Sequence, residues 1–477
     1  MILVSLILIP LVFGLALFFF KGTDAPKTFS LIASILTLAA TFYAISLPAG
    51  SLTYNQSWLG TLNSNFSLGV DGMAKILVLL TAVSYPIIFI ATKNNQYKDT
   101  NQFYALMLLT QAGLMGVFLS TDCLLFYFFW ELALVPAYFL CSKWGGDKRI
   151  QVSFKFFIYT FVGSLIMLIG IIYLYSKTPD HSFAWSSFTK VVLTEQEQAY
   201  FFWFFFIAFA IKMPIFPFHT WQPDTYEQAP TATTMVLSGI MVKMGLFAVA
   251  RWLLPVFPQM AIKMADTVII LSVIGMIYAS LIAMKQDSIK RMIAYSSIAH
   301  IGLMCAALFA NNAEATQGVY IQLFSHGVNV IGLWIVANAI EQQTGTTKMS
   351  ELGGLAHKAP VLAMLLVVMA LANIALPLTN AFVGEFLMFN GLFAYKPIFA
   401  VVAGISIILA AVYTLNMIQK VFLGEASAFL KLTDIPKNTI LALSIIVVMI
   451  FAMGVYPKPM FHLGEQVVGW VVGKSPL

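Results

Sequence analysis

The sequence predicts an all-α polytopic membrane protein of about fourteen transmembrane helices, with two inverted five-helix repeats that each hold one broken helix. Three observations predict it. Only 10% of the 477 residues are charged, against 60% hydrophobic, and mean hydropathy is +0.88; a soluble chain of this length carries about 25% charged residues. Apolar runs recur at the ~20 residues a helix needs to cross a bilayer. Two of those runs are interrupted by proline, five runs apart.

In chain order, apolar residues begin at Met1 with no positive flank and no small-residue cleavage site, so the first run reads as a retained helix rather than a signal peptide. Spans are expected near 2–20, 27–48, 71–92, 104–120, 122–142, 152–176, 199–219, 230–253, 264–284, 290–310, 316–341, 359–395, 397–421 and 437–457. The seventh is interrupted by Pro214 and Pro217. The twelfth is too long for one straight crossing and breaks at Pro377, in Ala375-Leu-Pro-Leu-Thr-Asn380. A shift of five spans reverses the direction of one block relative to the other, and interrupted helices at corresponding places are the mark of an inverted-repeat transporter. The expected organisation is therefore residues 1–103 for the first three spans, 104–253 for the first repeat, 264–421 for the second, and 422–477 for the last span and a short tail. No long soluble domain, low-complexity tract or flexible linker interrupts it.

Lys and Arg gather in the odd-numbered loops, notably Lys143, Lys148 and Arg149, and Lys285, Lys290 and Arg291. Those loops then face the cytoplasm and both termini face outward. The net charge of +6 is spread over short loops, with no basic stripe or aromatic-and-basic module, which excludes a nucleic-acid partner. Cys123, Cys141 and Cys305 lie in or beside apolar runs without metal-ligand spacing and read as core packing.

An ionisable side chain at the bilayer centre costs at least ~2.5–3.5 kcal/mol and marks a pathway more often than not. Four positions carry such charges. Glu131 follows Cys123-Leu-Leu-Phe-Tyr-Phe-Phe-Trp130 as the one deep charge of the fifth span. Lys212 precedes Pro214; two prolines without amide protons leave the carbonyls of Ala210 and Met213 without helical partners, a polar notch beside the lysine. Lys243 lies ~20 Å beyond the helix-starting Pro230. Glu385 follows the Pro377 break. Structural ion pairs explain any one of these; four in separate spans, two beside helix breaks, favour a conduction path. Burial disfavours each charge and an opposite charge nearby restores it, so a Glu131–Lys212 pair can hold or release a proton according to its separation.

A second set is polar or weakly basic. Gln322, His326 and Asn329 share one face of the eleventh span, and a histidine titrating near neutrality there suits a relay. Ser296, Ser297 and His300 lie on the tenth span, where relay and packing both fit His300. His219, beside Pro217 and before Trp221 and Asp224, suits a gate, a loop anchor or a relay. Asp71 and Lys75, at i and i+4, read as a local ion pair. No Cys-x-x-Cys, phosphate loop or haem-ligand histidine pair is present, so no cofactor or metal is expected and the chain itself does not carry electrons.

Ile211-Lys-Met-Pro-Ile-Phe-Pro-Phe-His-Thr-Trp-Gln-Pro-Asp224 and Glu227-Gln-Ala-Pro-Thr231 resemble the signature of the antiporter-like subunits of respiratory complex I, shared with the multi-subunit cation/proton antiporters. Trp130-Glu131-Leu132, Ser238-Gly-Ile-Met-Val-Lys-Met-Gly245, Lys285-Gln-Asp-Ser-Ile-Lys-Arg291 and Ala294-Tyr-Ser-Ser-Ile-Ala-His300 match as well. Most members carry lysine where Phe382-Val-Gly-Glu-Phe386 places Glu385; a glutamate there is similar to the subunit M branch, counterpart of mitochondrial subunit 4. The want of a long lateral helix after the last span separates the chain from subunit L. Leu378 departs from the family, where glycine is frequent. The resemblance implies a proton-translocating, non-redox subunit of NADH:quinone oxidoreductase in a bacterial inner membrane, with both termini periplasmic. It implies further membrane-arm subunits, other antiporter-like ones included, and the lipid bilayer as partners. Glu131, Lys212, Lys243, His326 and Glu385 would form the proton path, with His219 and His300 as additional candidates. The alternatives are a subunit of a sodium/proton antiporter and a scaffold whose charges only fasten helices together.

Overall fold

The structure, a computed structural model, describes residues 1–48, 51–424 and 435–471. A backbone in hydrocarbon must satisfy its amides within its own segment, and the chain does so almost entirely with helix. In order these are α1 (Ile2–Leu17), α2 (Asp24–Ser46), a hairpin of β1 (Thr53–Leu59) and β2 (Ser64–Gly69), α3 (Gly72–Ala91), α4 (Thr100–Leu119), α5 (Cys123–Trp144), α6 (Arg149–Lys177), α7 (Glu195–Lys212), α8 (Trp221–Gln228), α9 (Thr231–Val256), α10 (Pro258–Lys285), α11 (Ile289–Phe309), α12 (Ala313–Thr344), α13 (Pro360–Asn373), α14 (Asn380–Tyr395), α15 (Pro397–Phe422), α16 (Lys437–Val455) and α17 (Lys458–Val471). Among the described residues, eleven helices are long and apolar enough to cross a membrane, and α1 and α13 are shorter apolar helices.

The bundle is inverted relative to a soluble protein. The apolar windows of α9 and α12 are wholly buried, whereas those of α15 and α16 are 28% buried. The outward face of α15 is a stripe of Ile398, Val401, Ile405, Ile408, Val412 and Leu415 at helical spacing. Water does not tolerate such a continuous aliphatic surface, and hydrocarbon does. Lysine, histidine, glutamine and asparagine side chains sit inside instead.

The hairpin is a finding the sequence pattern did not reveal. Its strands pair antiparallel from Thr53↔Gly69 to Leu59↔Ser64, and Asn63 turns the chain at φ +47°. Asp122 fastens it to α5: the carboxylate accepts from Ser64 Oγ (3.1 Å) and Asn65 N (3.0 Å) while capping α5 through Leu124 N and Leu125 N. After the last expected span the chain forms α17 rather than only a short tail; residues 472–477 of that tail lie outside the described residues.

Both expected helix breaks are present, between α7 and α8 and between α13 and α14, and they are built alike. Met213 N donates to Phe209 O (2.8 Å), Ile215 N to Ala210 O (2.9 Å) and Phe218 N to Ile215 O (2.7 Å); Ile374 N donates to Ala370 O (3.2 Å), Leu376 N to Leu371 O (3.0 Å) and Thr379 N to Leu376 O (3.0 Å). Each five-residue bond skips one carbonyl. Ile211 O then accepts from Trp221 Nε1 (3.0 Å); at the matching place Ala372 O accepts from Asn329 Nδ2 (3.2 Å) and also from Ala375 N (3.2 Å), an amide that Pro214 lacks in the first break. The expectation for Ala210 is thereby corrected. Its carbonyl is taken by Ile215, because the chain turns wide to bypass Pro214, and the carbonyl needing outside help is that of Ile211. Leu378 lies at φ +73°, where glycine sits without strain and a leucine costs roughly 1–2 kcal/mol.

Helix α9 carries two π segments, Leu237–Met241 and Val249–Leu253. It crosses α12 at Gly239 and Gly327, so closely that a Cβ on Gly327 would meet Gly239 O at 2.9 Å. Gly327→Ala should force the two helices apart at a cost of about 1–3 kcal/mol. The check is a lower melting temperature; an unchanged one would contradict this packing.

Candidate functional site

The first π segment sets the geometry of the site. Its wider turn leaves Ser238 O to accept from Lys243 Nζ (2.7 Å), so the lysine folds back against its own helix. Lys243 is wholly buried. The Gly239–Gly327 crossing brings α12 within reach, and Lys243 Nζ lies 2.9 Å from His326 Nδ1. The ring of His326 is 5.4 Å from that of His300 on α11. His300 Nδ1 is 3.0 Å from Glu385 Oε1 on α14, and Gln322 Nε2 donates to the same oxygen (3.1 Å). Four ionisable side chains from four helices thus form one line through the buried interior. In both histidines Nδ1 is engaged and Nε2 has no protein partner.

The Glu385 end touches a small cavity of about 20 Å³ bounded by His300, Ile374, Ser406 and Tyr413, room for about one water. Ser296 Oγ ties its wall together, accepting from Asn373 Nδ2 (3.2 Å) and bonded to Tyr413 Oη (2.9 Å). Asn329 links α12 to the break through Ala372 O and Asn380 Oδ1. Gln322, His326 and Asn329, grouped by their spacing, therefore all face the buried line or the adjoining break.

Lys212 and Glu131 stand apart from that line. The Lys212 ammonium is buried 5.5 Å from the Trp130 ring centre, with no hydrogen-bond partner. Glu131 lies within its electrostatic reach, but neither Glu131 Oε1 nor the ammonium has a hydrogen-bond partner. Gly245 lets α9 press on the α7 break, for a Cβ there would meet Phe209 O and Met213 Cβ at 2.7 Å. His219 joins neither group: its ring stacks on Phe216 (5.8 Å) and meets Tyr278 edge-on (5.2 Å).

The expected Asp71–Lys75 pair does not form. Asp71 Oδ1 caps α3 at Ala74 N (2.8 Å), and Oδ2 pairs with Arg251 of α9, a buried bridge between helices far apart in sequence. A cavity of about 880 Å³ opens where α4, α6, α9 and α11 begin, bordered by Asn95, Tyr97, Lys148, Glu227, Lys290 and Glu341. Tyr97 touches Tyr104 (6.3 Å), whose hydroxyl, like the side chain of Gln111 two turns along α4, has no protein partner. Sequence spacing gave no reason to choose Gln111 or Arg251 over other polar residues.

Residues 120–411 match the family model described as NADH:quinone oxidoreductase/Mrp antiporter, TM. The chain belongs to this family. All the ionisable residues of the buried line lie inside the matched region of this oxidoreductase/antiporter family. NADH-quinone oxidoreductase subunit M of Rickettsia prowazekii (strain Madrid E) is 37% identical over 465 residues, covering 94% of each chain. The protein of the same name from Escherichia coli (strain K12) is 32% identical over 494 residues, covering 98% of this chain and 97% of that one. The fold matches a chain of respiratory complex I from Thermus thermophilus with bound NADH at a TM-score of 0.90, with 26% identity over 99% of this chain and 100% of that one.

Proposed function

We propose that this chain is a proton-translocating subunit of the membrane arm of an NADH:quinone oxidoreductase, of the subunit M type. The observation that carries the reading is the file Lys243–His326–His300–Glu385 inside an apolar bundle, hydrogen-bonded at its two ends, with the two histidine rings 5.4 Å apart in the middle. The names of the relatives and the complex I match support it. The bundle sits in a bacterial inner membrane with other membrane-arm subunits, further antiporter-like chains among them. Counting each interrupted pair as one crossing, and leaving out α17, which is not among the apolar helices, gives fourteen, with both termini outside and the 880 Å³ cavity on the cytoplasmic side. Helices α4–α9 and α10–α15 are the two inverted repeats, a division supported by the matching hydrogen bonds at their breaks.

The partners along the file give it a direction. A charged Lys243 donates to Nδ1 of His326, whose own proton is then on Nε2. His300 directs Nδ1–H at the Glu385 carboxylate and leaves Nε2 to accept. A proton passed from Lys243 to His326 Nδ1 frees the Nε2 proton for His300, and the Nδ1 proton of His300 goes on to Glu385. Lys243 is the central relay, His326 and His300 connect it, and Glu385 is the far exchange site. Glu131 and Lys212, poised without contact, are the gating pair. Their approach stabilises the ammonium, and their separation favours its release of a proton.

Glu131→Ala and Lys212→Ala should each cut NADH-driven proton pumping several-fold in proteoliposomes, while the complex assembles and still oxidises NADH with an artificial acceptor. Full pumping in both variants defeats these roles. Sodium-dependent proton flux without any NADH oxidation would instead identify a sodium/proton antiporter subunit.

A further inference from the structure

Lys243 meets His326 sideways, while its own helix runs on toward the outer end. Phe247 and Arg251 follow Lys243 at successive turns of α9, on the face that continues outward. The Arg251 guanidinium lies 4.9 Å from the centre of the Phe247 ring, and both side chains are buried. Eight residues of helix place the backbone of Arg251 ~12 Å beyond that of Lys243. The second π segment spans Arg251, and Trp185 Nε1 holds the backbone there through Arg251 O (2.9 Å). Asp71 pairs with the guanidinium from the opposite helix and is itself locked as the cap of α3. Tyr320 of α12 is buried within electrostatic reach of both.

We propose that Phe247, Arg251 and Asp71 form an outer seal over Lys243, so that a proton held there leaves only sideways through His326. An aromatic ring filling the route keeps water out, and a permanent cation behind it repels any hydrated proton entering from outside. Arginine suits the task because it does not give up its own proton. Asp71 fixes the cation in place, and its tie to the α3 terminus keeps that anchor rigid. The seal explains why a buried arginine stands where the path itself needs no charge, and it makes the exchange at Glu385 obligatory for net transport.

This inference rests on the proton-translocating reading, and the test separates the two. The whole complex is purified with Phe247→Ala or with the paired change Asp71→Asn/Arg251→Gln, which removes both charges and strands neither. It is reconstituted in vesicles with a pH-sensitive dye. With the seal opened, NADH oxidation continues, the gradient reached falls several-fold, and a preformed gradient decays several-fold faster without NADH. Decay as slow as that of the parent in the assembled variants overturns the seal. If the paired variant does not assemble, Phe247→Ala alone decides, since it strands no charge. If the parent complex itself builds no gradient with NADH, the translocation reading fails instead.

Discussion

Replacing Lys243 with methionine should abolish coupled proton pumping while leaving the complex assembled. Methionine keeps much of the length and volume of the lysine stem, so packing around α9 changes little. The chemistry is removed. His326 Nδ1 loses its proton donor, Ser238 O loses the ammonium, and no group on α9 replaces them. Pumping falls by about tenfold or more, the effect of adding about 1.4 kcal/mol or more to the transfer barrier. The two deserted polar groups also cost roughly 1–3 kcal/mol of stability. The measurement is the proton-to-NADH ratio of reconstituted complex alongside its melting temperature. A normal ratio would show that protons bypass α9.

Glu385→Gln should stop transport at the other end of the file. The amide oxygen of glutamine still accepts from His300 Nδ1 and Gln322 Nε2, so the local hydrogen bonds survive. What is lost is the ability to take a proton. Pumping again falls by about tenfold or more on the same reckoning. Glu385→Asp retains an ionisable carboxyl on a shorter arm and should recover part of the activity, since a relay weakens as its partners move apart. Comparing the two variants distinguishes proton exchange from structural fastening. If Gln pumps as well as the parent, Glu385 only holds α14 against α11. A scaffold whose charges merely pin helices would show no loss in any of these variants.

Glu131, Lys212, Lys243 and Glu385 were legible because a charge stands alone in a long apolar run, and His326 because its polar neighbours recur at helical spacing. For His300 the sequence fits relay and packing alike, since a single histidine carries no record of what faces it; the structure sets its Nδ1 against Glu385 of α14. Arg251 gives no signal, and Asp71 reads only as the local partner of Lys75, because each lies near the end of a span, where a charge ordinarily reaches water. The hairpin escaped because its seven- and six-residue strands are polar and short beside the runs around them. The π segments leave no mark in hydropathy at all, yet the first of them turns Lys243 toward His326.

The sequence by itself determined that the chain is helical, that it lives in a membrane, where its helices break, and which charges lie deep. All of these follow from composition and order along one segment, because the cost of exposing amides or charges to hydrocarbon is local. Only the tertiary structure decided which charges meet. That depends on how closely helices cross, and here it turns on the Gly239–Gly327 contact and on the extra residue in a π turn. An ångström of approach between α9 and α12 decides whether Lys243 meets His326 or stays an isolated buried charge, because a hydrogen bond forms only within about 3.2 Å.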